Sequence, residues 1–160
     1  MTAPLRVEPD VSFLLNHAAH VLRTRMAAAL AEAGVTARMH CVLTHAMGEE
    51  RTQAELAELG DMDKTTMVVT VDALERAGLA ERRPSDRDRR ARIVSVTDAG
   101  AELAVRSQAI ADQVHADVLA ALPPDERDVF LRAMRRLVEG HLAAPVEAPV
   151  PARRARQRES

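Results

Sequence analysis

Residues 82–92 read Arg-Arg-Pro-Ser-Asp-Arg-Asp-Arg-Arg-Ala-Arg, six arginines and two aspartates in eleven positions. The chain as a whole has a formal net charge of −2, so this cluster departs sharply from its surroundings. Guanidinium groups are planar, permanently charged donors whose natural partners are carboxylates and phosphates. Two aspartates do not neutralise six arginines, so the run suits a polyanion. A second chemically capable group is His17, His20, His40, Cys41 and His45, at helical spacings in two stretches. Imidazole and thiolate suit zinc, but no carboxylate completes a ligand pattern, and no metal or cofactor is expected. Cys41 is the single cysteine. Met39, Val42 and Leu43 around it favour a buried, inert thiol over a redox sensor. There is no Gly-rich phosphate loop, no His-Glu-x-x-His and no nucleophile elbow, so an enzyme is not expected.

At 160 residues the chain is long enough for one domain with a core. Phe13 and Phe130 are its only aromatic residues besides histidine, which argues against the stacking platforms used to bind single-stranded nucleic acid. Lys64 is the only lysine. No segment is apolar for long enough to span a membrane and no signal pattern opens the chain, so a cytoplasmic protein is expected.

The periodicity says what holds these groups. Apolar spacing predicts a helix over 11–33, capped by Asp10 and stopped by Gly34. Thr36 caps a second helix to about Met47. Thr52 and Glu55 form a capping box that opens a short third helix ending at Gly60. Asp63 caps a fourth to about Ala77. The period then changes to that of two short strands, 79–83 and 92–96, joined by 84–91. Thr97 caps a long helix to about Leu122. Pro124 starts a last one, to about Leu142. Beyond Pro145 the composition is Pro-, Ala- and Arg-rich without periodicity, as in a disordered basic tail.

Two short helices around a tight turn, followed by a hairpin, make a winged helix-turn-helix. The predicted fold is therefore mainly α with a small two-stranded β wing. The second helix of such a pair presents its first turns to the major groove of duplex DNA. Here those positions are Lys64, Thr65, Thr66 and Val69. The wing supplies Arg87, Asp88, Arg89 and Arg90, with Arg90 reaching a minor groove and Asp88 steadying its guanidinium. Arg82, Arg83 and Arg92, at the strand bases, contribute backbone contacts or field.

The order Thr52-Gln53-Ala54-Glu55-Leu56-Ala57, Asp63-Lys64-Thr65-Thr66-Met67, Leu74-Glu75-Arg76-Ala77-Gly78-Leu79, Glu81-Arg82-Arg83-Pro84, Asp88-Arg89-Arg90 and Val96-Thr97-Asp98-Ala99-Gly100 resembles the MarR (multiple antibiotic resistance regulator) family. The resemblance spans residues 11 to 142. It implies a homodimeric transcriptional regulator, usually a repressor, that binds a near-palindromic operator and is released by a small organic ligand. It also implies a division into a dimerisation region (11–35 and 98–144) and a DNA-binding lobe (36–97), which leaves an N-terminal arm (1–10) and the basic tail (145–160) outside them. Phe13, His17, Met39, His40 and Met47 are the candidate effector pocket. One departure is that Val68-Val69-Thr70 stand where many relatives have an arginine, so an arginine–guanine contact from that turn is not expected. The competing class is a dimeric helical interaction module whose arginine loop binds acidic partners or DNA without sequence preference. Cys41 oxidation and His/Cys metal binding are the alternative modes of sensing.

Overall fold

The computed structural model describes residues 10–88, 90–144 and 146. Apart from Asp10 and Val146, the expected arm and disordered tail lie outside the described residues. Among the described residues the elements run α1 (Val11–Glu32), α2 (Ala37–Ala46), β1 (Arg51–Thr52), α3 (Gln53–Leu59), α4 (Lys64–Arg76), β2 (Ala80–Pro84), β3 (Arg92–Val96), α5 (Asp98–Ala120) and α6 (Pro124–Glu139).

The helix starts sit where short polar side chains dictate. Asp10, Thr36 and Asp63 accept hydrogen bonds from the backbone N–H of Phe13, Met39 and Thr66 at 3.1, 3.1 and 2.9 Å. Thr52 and Glu55 exchange bonds as a full capping box, and Thr97 receives the N–H of Gly100 at 3.1 Å. Each cap satisfies donors that a first helical turn leaves unpaired. Pro124 occupies the first turn of α6, where its missing N–H costs nothing. The stop of α4 is as local. Gly78 adopts φ +69°, which a side chain would resist, and the chain turns directly into β2.

The sheet is antiparallel in the order β1-β3-β2. β2 and β3 form the hairpin, with Ala80 opposite Val96 and Pro84 opposite Arg92. β1 adds a third strand of two residues, Arg51 opposite Val94 and Thr52 opposite Ile93. It is absent from the sequence reading because two residues carry no period; pairing with β3 creates it.

The described residues fall into two compact units, divided between Val118 and Leu119. The first has an aliphatic core: Leu30 of α1, Val42 and Leu43 of α2, Leu56 of α3, Met67, Val71 and Leu74 of α4, and Val94 of β3 are fully buried. Leu103 and Ala104 of α5 join the same cluster. Burying side chains of this size contributes about 1.5–3 kcal/mol each, and together they fix α4 against the sheet. The N-terminal half of α1 takes no part, and Val11, Phe13 and Leu14 remain exposed. In the second unit, Arg127 reaches back to the carbonyls of Leu122 and Ala120 at 3.1 and 3.3 Å. No residue of α6 is buried, and Val129, Phe130, Leu137 and Val138 all lie exposed. No described helix is long and apolar enough to cross a membrane.

Candidate nucleic-acid interface

α3 and α4 are joined by Gly60, Asp61, Met62 and Asp63. Asp61 sits at φ +47°, a conformation aspartate tolerates better than most residues. The Met62 N–H bonds to the Ala57 carbonyl at 2.9 Å and closes the turn. Any side chain at Gly60 would meet Met62 and the Cys41 sulfur, so Cys41 lies under this turn. Burial pushes its thiol pKa up, which opposes thiolate formation.

On α4, Lys64, Thr65, Val68 and Val69 are exposed, and their spacing puts them on one face. Thr66 is tied up instead, because its hydroxyl donates to the Asp63 carboxylate at 2.6 Å beside the backbone cap. Thr70 is buried and donates to the Thr66 carbonyl at 2.7 Å. The outward surface of the first two turns of α4 is thus one ammonium, one hydroxyl and two valines.

The wing divides its arginines. Arg82 is enclosed: its guanidinium bonds Glu75, Asp72 (2.6 Å) and Gln53 (2.9 Å). Arg83 pairs with Asp86 at 3.1 Å and Glu50 at 3.4 Å. Arg82 and Arg83, expected to contribute backbone contacts or field, thus both lie against carboxylates that offset their charge. Arg87, Arg90 and Arg92 are exposed, and none forms an ion pair with another described residue. Arg89 lies outside the described residues. Asp88 also differs from expectation. Its carboxylate accepts the backbone N–H of Arg90 at 2.9 Å, not the guanidinium, so it shapes the turn and leaves the Arg90 side chain unheld.

The shape of that turn depends on Glu50, which sequence reasoning missed. Its carboxylate accepts the Ser85 hydroxyl at 2.7 Å and the Asp86 N–H at 3.2 Å. The Ser85 oxygen in turn accepts the N–H groups of Arg87 and Asp88 at 3.0 and 3.2 Å. These bonds hold the Glu50 carboxyl below the usual carboxylate range, with the Ser85 hydroxyl the main cause. The one signal in the sequence was a Glu-Glu pair just before the capping box.

The candidate effector residues do not line one cavity among the described residues. Phe13 and His17 stack on exposed α1, ring centres 5.5 Å apart. Met39 faces Val69, Thr70 and Ala73 of α4. Met47 borders a cleft of about 320 Å³ with Glu49, Glu50, Arg83 and Ile93. His40 binds the buried Ser107 of α5 at 2.8 Å. Helical spacing allowed the five to converge, but they face different neighbours.

A helix pair with a tight turn, an outward-facing second helix and an arginine-bearing hairpin define a winged helix-turn-helix protein. The family model described as MarR family matches residues 33–91, the lobe that carries those features. CouR from Rhodococcus jostii RHA1, bound to p-coumaroyl-CoA, is 26% identical over 88% of this chain and 96% of its own, with TM-score 0.76. The Mycobacterium tuberculosis MarR family protein Rv2887 in complex with salicylic acid is 28% identical over 83% and 99%, with TM-score 0.69. The S. aureus MepR–DNA complex shares the fold at 18% identity over 82% and 98%, with TM-score 0.72. Residues 33–91 thus match the MarR family model, and the chain is similar over most of its length to transcriptional regulators of that kind.

Proposed function

We propose that the protein is a homodimeric repressor that binds duplex DNA in a sequence-preferring way and is released by a small aromatic acid or its thioester. The observation that carries the DNA reading is the free charge of Arg87, Arg90 and Arg92 on the wing, which follows a second helix, α4, whose first two turns are also exposed. Phosphates are the partners that relieve such a cluster, and counterion release drives the contact. Lys64, Thr65 and Val69 face base edges and the neighbouring phosphates, while Arg90 enters the minor groove and Arg87 lies along its rim.

The exposed apolar residues of α1 and, separately, of α6 support a dimer, because surfaces of this kind in soluble proteins mark interfaces. On this reading 11–35 and 98–144 form the dimerisation region and 36–97 the DNA-binding lobe. Two recognition helices then call for a near-palindromic operator with half-sites about 10–10.5 base pairs apart. A regulator works where the DNA is, which supports a cytoplasmic location. The ligand class is supported by the relatives bound to p-coumaroyl-CoA and salicylic acid. The stacked Phe13 and His17 rings offer it an exposed aromatic surface.

Gel shift against genomic fragments, repeated with a panel of aromatic acids and their coenzyme A thioesters, tests the whole reading. It expects retardation that survives competitor DNA and is reversed by one class of ligand. Binding that is salt-sensitive but shows no sequence preference would favour the interaction module instead.

A further inference from the structure

Among the described wing arginines, Arg82 alone has its Nε and both terminal nitrogens directed inward. It comes from β2, yet it contacts both helices of the helix-turn-helix. Nε donates to the Gln53 side-chain oxygen at 2.9 Å, at the first residue of α3. One terminal nitrogen donates to Glu75 on α4. The other donates to Asp72 at 2.6 Å, a turn earlier on α4, and lies 3.5 Å from the Val68 carbonyl. The backbone N–H of Arg82 adds a bond of 2.8 Å to the second oxygen of Glu75. β2 is thereby fixed to α4 through both main chain and side chain. Because Arg82 is paired with Val94 of β3, the constraint passes to the second wing strand.

We propose that Arg82 is a positioning residue for DNA recognition: it locks α3, α4 and the wing at one mutual angle and makes no contact with DNA itself. The inference rests on the DNA-binding reading above. Its electrostatics favour it over a phosphate contact. One positive charge is flanked by two carboxylates, so the cluster of Arg82, Asp72 and Glu75 is net negative and repels phosphate. Its geometry needs arginine in particular, because the guanidinium fork sends donors to three acceptors on two helices. A lysine ammonium is a single point charge and does not span them. Gln53 points the same way. Its oxygen is given to Arg82, while its side-chain nitrogen is buried with no partner among the described residues, a cost that an ordinary surface position would not carry.

The lever explains why the angle matters. The tip of the wing begins about five residues beyond Arg82, roughly 15 Å along a strand, so a tilt of about 10° at its base moves the tip by about 3 Å. Base and groove contacts fail at displacements of that size.

The test uses the full-length protein and measures fluorescence anisotropy on an operator duplex and on a scrambled duplex, at several salt concentrations. Arg82→Lys, Asp72→Asn with Glu75→Gln, and Arg87→Ala are compared with wild type, and melting curves confirm that each is folded at the assay temperature. Arg82→Lys should bind the operator about tenfold more weakly, bind the scrambled duplex nearly as wild type, and keep the wild-type salt slope. A role confined to stability would leave both duplexes unaffected below the melting temperature. Arg87→Ala, by contrast, should lower the slope by about one unit per subunit. The Asp72→Asn, Glu75→Gln protein should also bind the operator more weakly, although it is more positive. Tighter binding by that variant, wild-type affinity in Arg82→Lys, or a reduced slope in Arg82→Lys would each overturn the proposal. If Arg82→Lys fails to fold, Asp72→Asn alone, at an exposed site, carries the same expectation in milder form. Wild-type protein that prefers neither duplex sinks the DNA reading itself, which separates the two failures.

Discussion

Glu50 and Ser85 are 35 residues apart in sequence and 2.7 Å apart in space, the serine hydroxyl donating to the carboxylate. Ser85 is buried, and its oxygen also receives the backbone N–H groups of Arg87 and Asp88. The turn that carries the free wing arginines is therefore suspended from the loop between α2 and β1.

Ser85→Ala should loosen that turn without unfolding the lobe. Hydrogen exchange at the Arg87 and Asp88 amides should speed up, and DNA affinity should fall about fivefold, the equivalent of about 1 kcal/mol. Unchanged exchange at those two amides would show that the turn holds itself. Glu50→Gln should also lower the melting temperature, with a pH dependence whose sign is fixed. The folded carboxyl titrates below its ordinary value of 4.5, so its contribution is present above that pH and is lost as pH falls through the folded value. The gap between wild type and Glu50→Gln should therefore be widest above about pH 5 and close under stronger acid. A gap independent of pH contradicts the assignment.

His40 makes a second pH prediction. Its pKa is lowered from 6.5, chiefly by burial and then by His45, with His115 adding and Asp112 opposing. The Ser107 hydroxyl lies 3.0 Å from the Ala104 carbonyl and 2.8 Å from Nδ1 of His40. Because the unfolded imidazole takes up a proton first, stability falls as pH drops through 6.5 towards the folded value. Melting curves between about pH 8 and pH 5 should show wild type losing more than His40→Asn, which keeps a donor for Ser107. Equal losses would mean that His40 is solvated in the folded protein.

Gly100 gives a prediction whose sign opposes helix propensity. It lies in the first turn of α5, where a methyl group would sit 1.9 Å from the Leu79 carbonyl oxygen. Thr97 reinforces the contact by donating to the Gly78 carbonyl at 2.8 Å. Glycine to alanine inside a helix ordinarily gains about 1 kcal/mol. Here Gly100→Ala should cost about 1–3 kcal/mol because α5 must back away from the α4–β2 corner. Denaturant melts decide the sign, and a stabilised variant would mean that the corner yields freely.

The helix starts were legible in the sequence because Asp10, Thr36, Thr52, Asp63 and Thr97 act on donors two or three residues away. The wing was legible because residues 92–96 alternate and a charged run precedes them. β1 was not, since Arg51 and Thr52 become a strand only through β3. Nor was the division of labour among the arginines. As letters, Arg82 and Arg90 are equivalent. What separates them is that the α4 carboxylates of Asp72 and Glu75, up to ten residues earlier, face β2 once α4 has packed on the sheet. Glu50 was hidden for the same reason. The histidines and methionines show the opposite error, where shared helical spacing suggested one pocket and tertiary packing sent them to several neighbours.

Asp88 is a case where structure changes the reason for an expectation and not its sign. Asp88→Ala removes a negative charge beside the free arginines, and simple electrostatics then calls for tighter DNA binding. It also removes the acceptor of the Arg90 N–H. Binding should weaken mildly, by about two- to fivefold. Tighter binding would reduce the wing to a charged cloud.

On the proposed function, the free arginines of the wing, led by Arg90, engage duplex DNA. Operator affinity of Arg90→Ala beside wild type, titrated across salt, tests it most directly. The expected result is a sequence-preferring, steeply salt-dependent wild type and a loss of about 1–3 kcal/mol in the variant, with weaker preference for flanking A·T pairs. An Arg90→Ala protein that matches wild type in affinity, salt slope and sequence preference would contradict it.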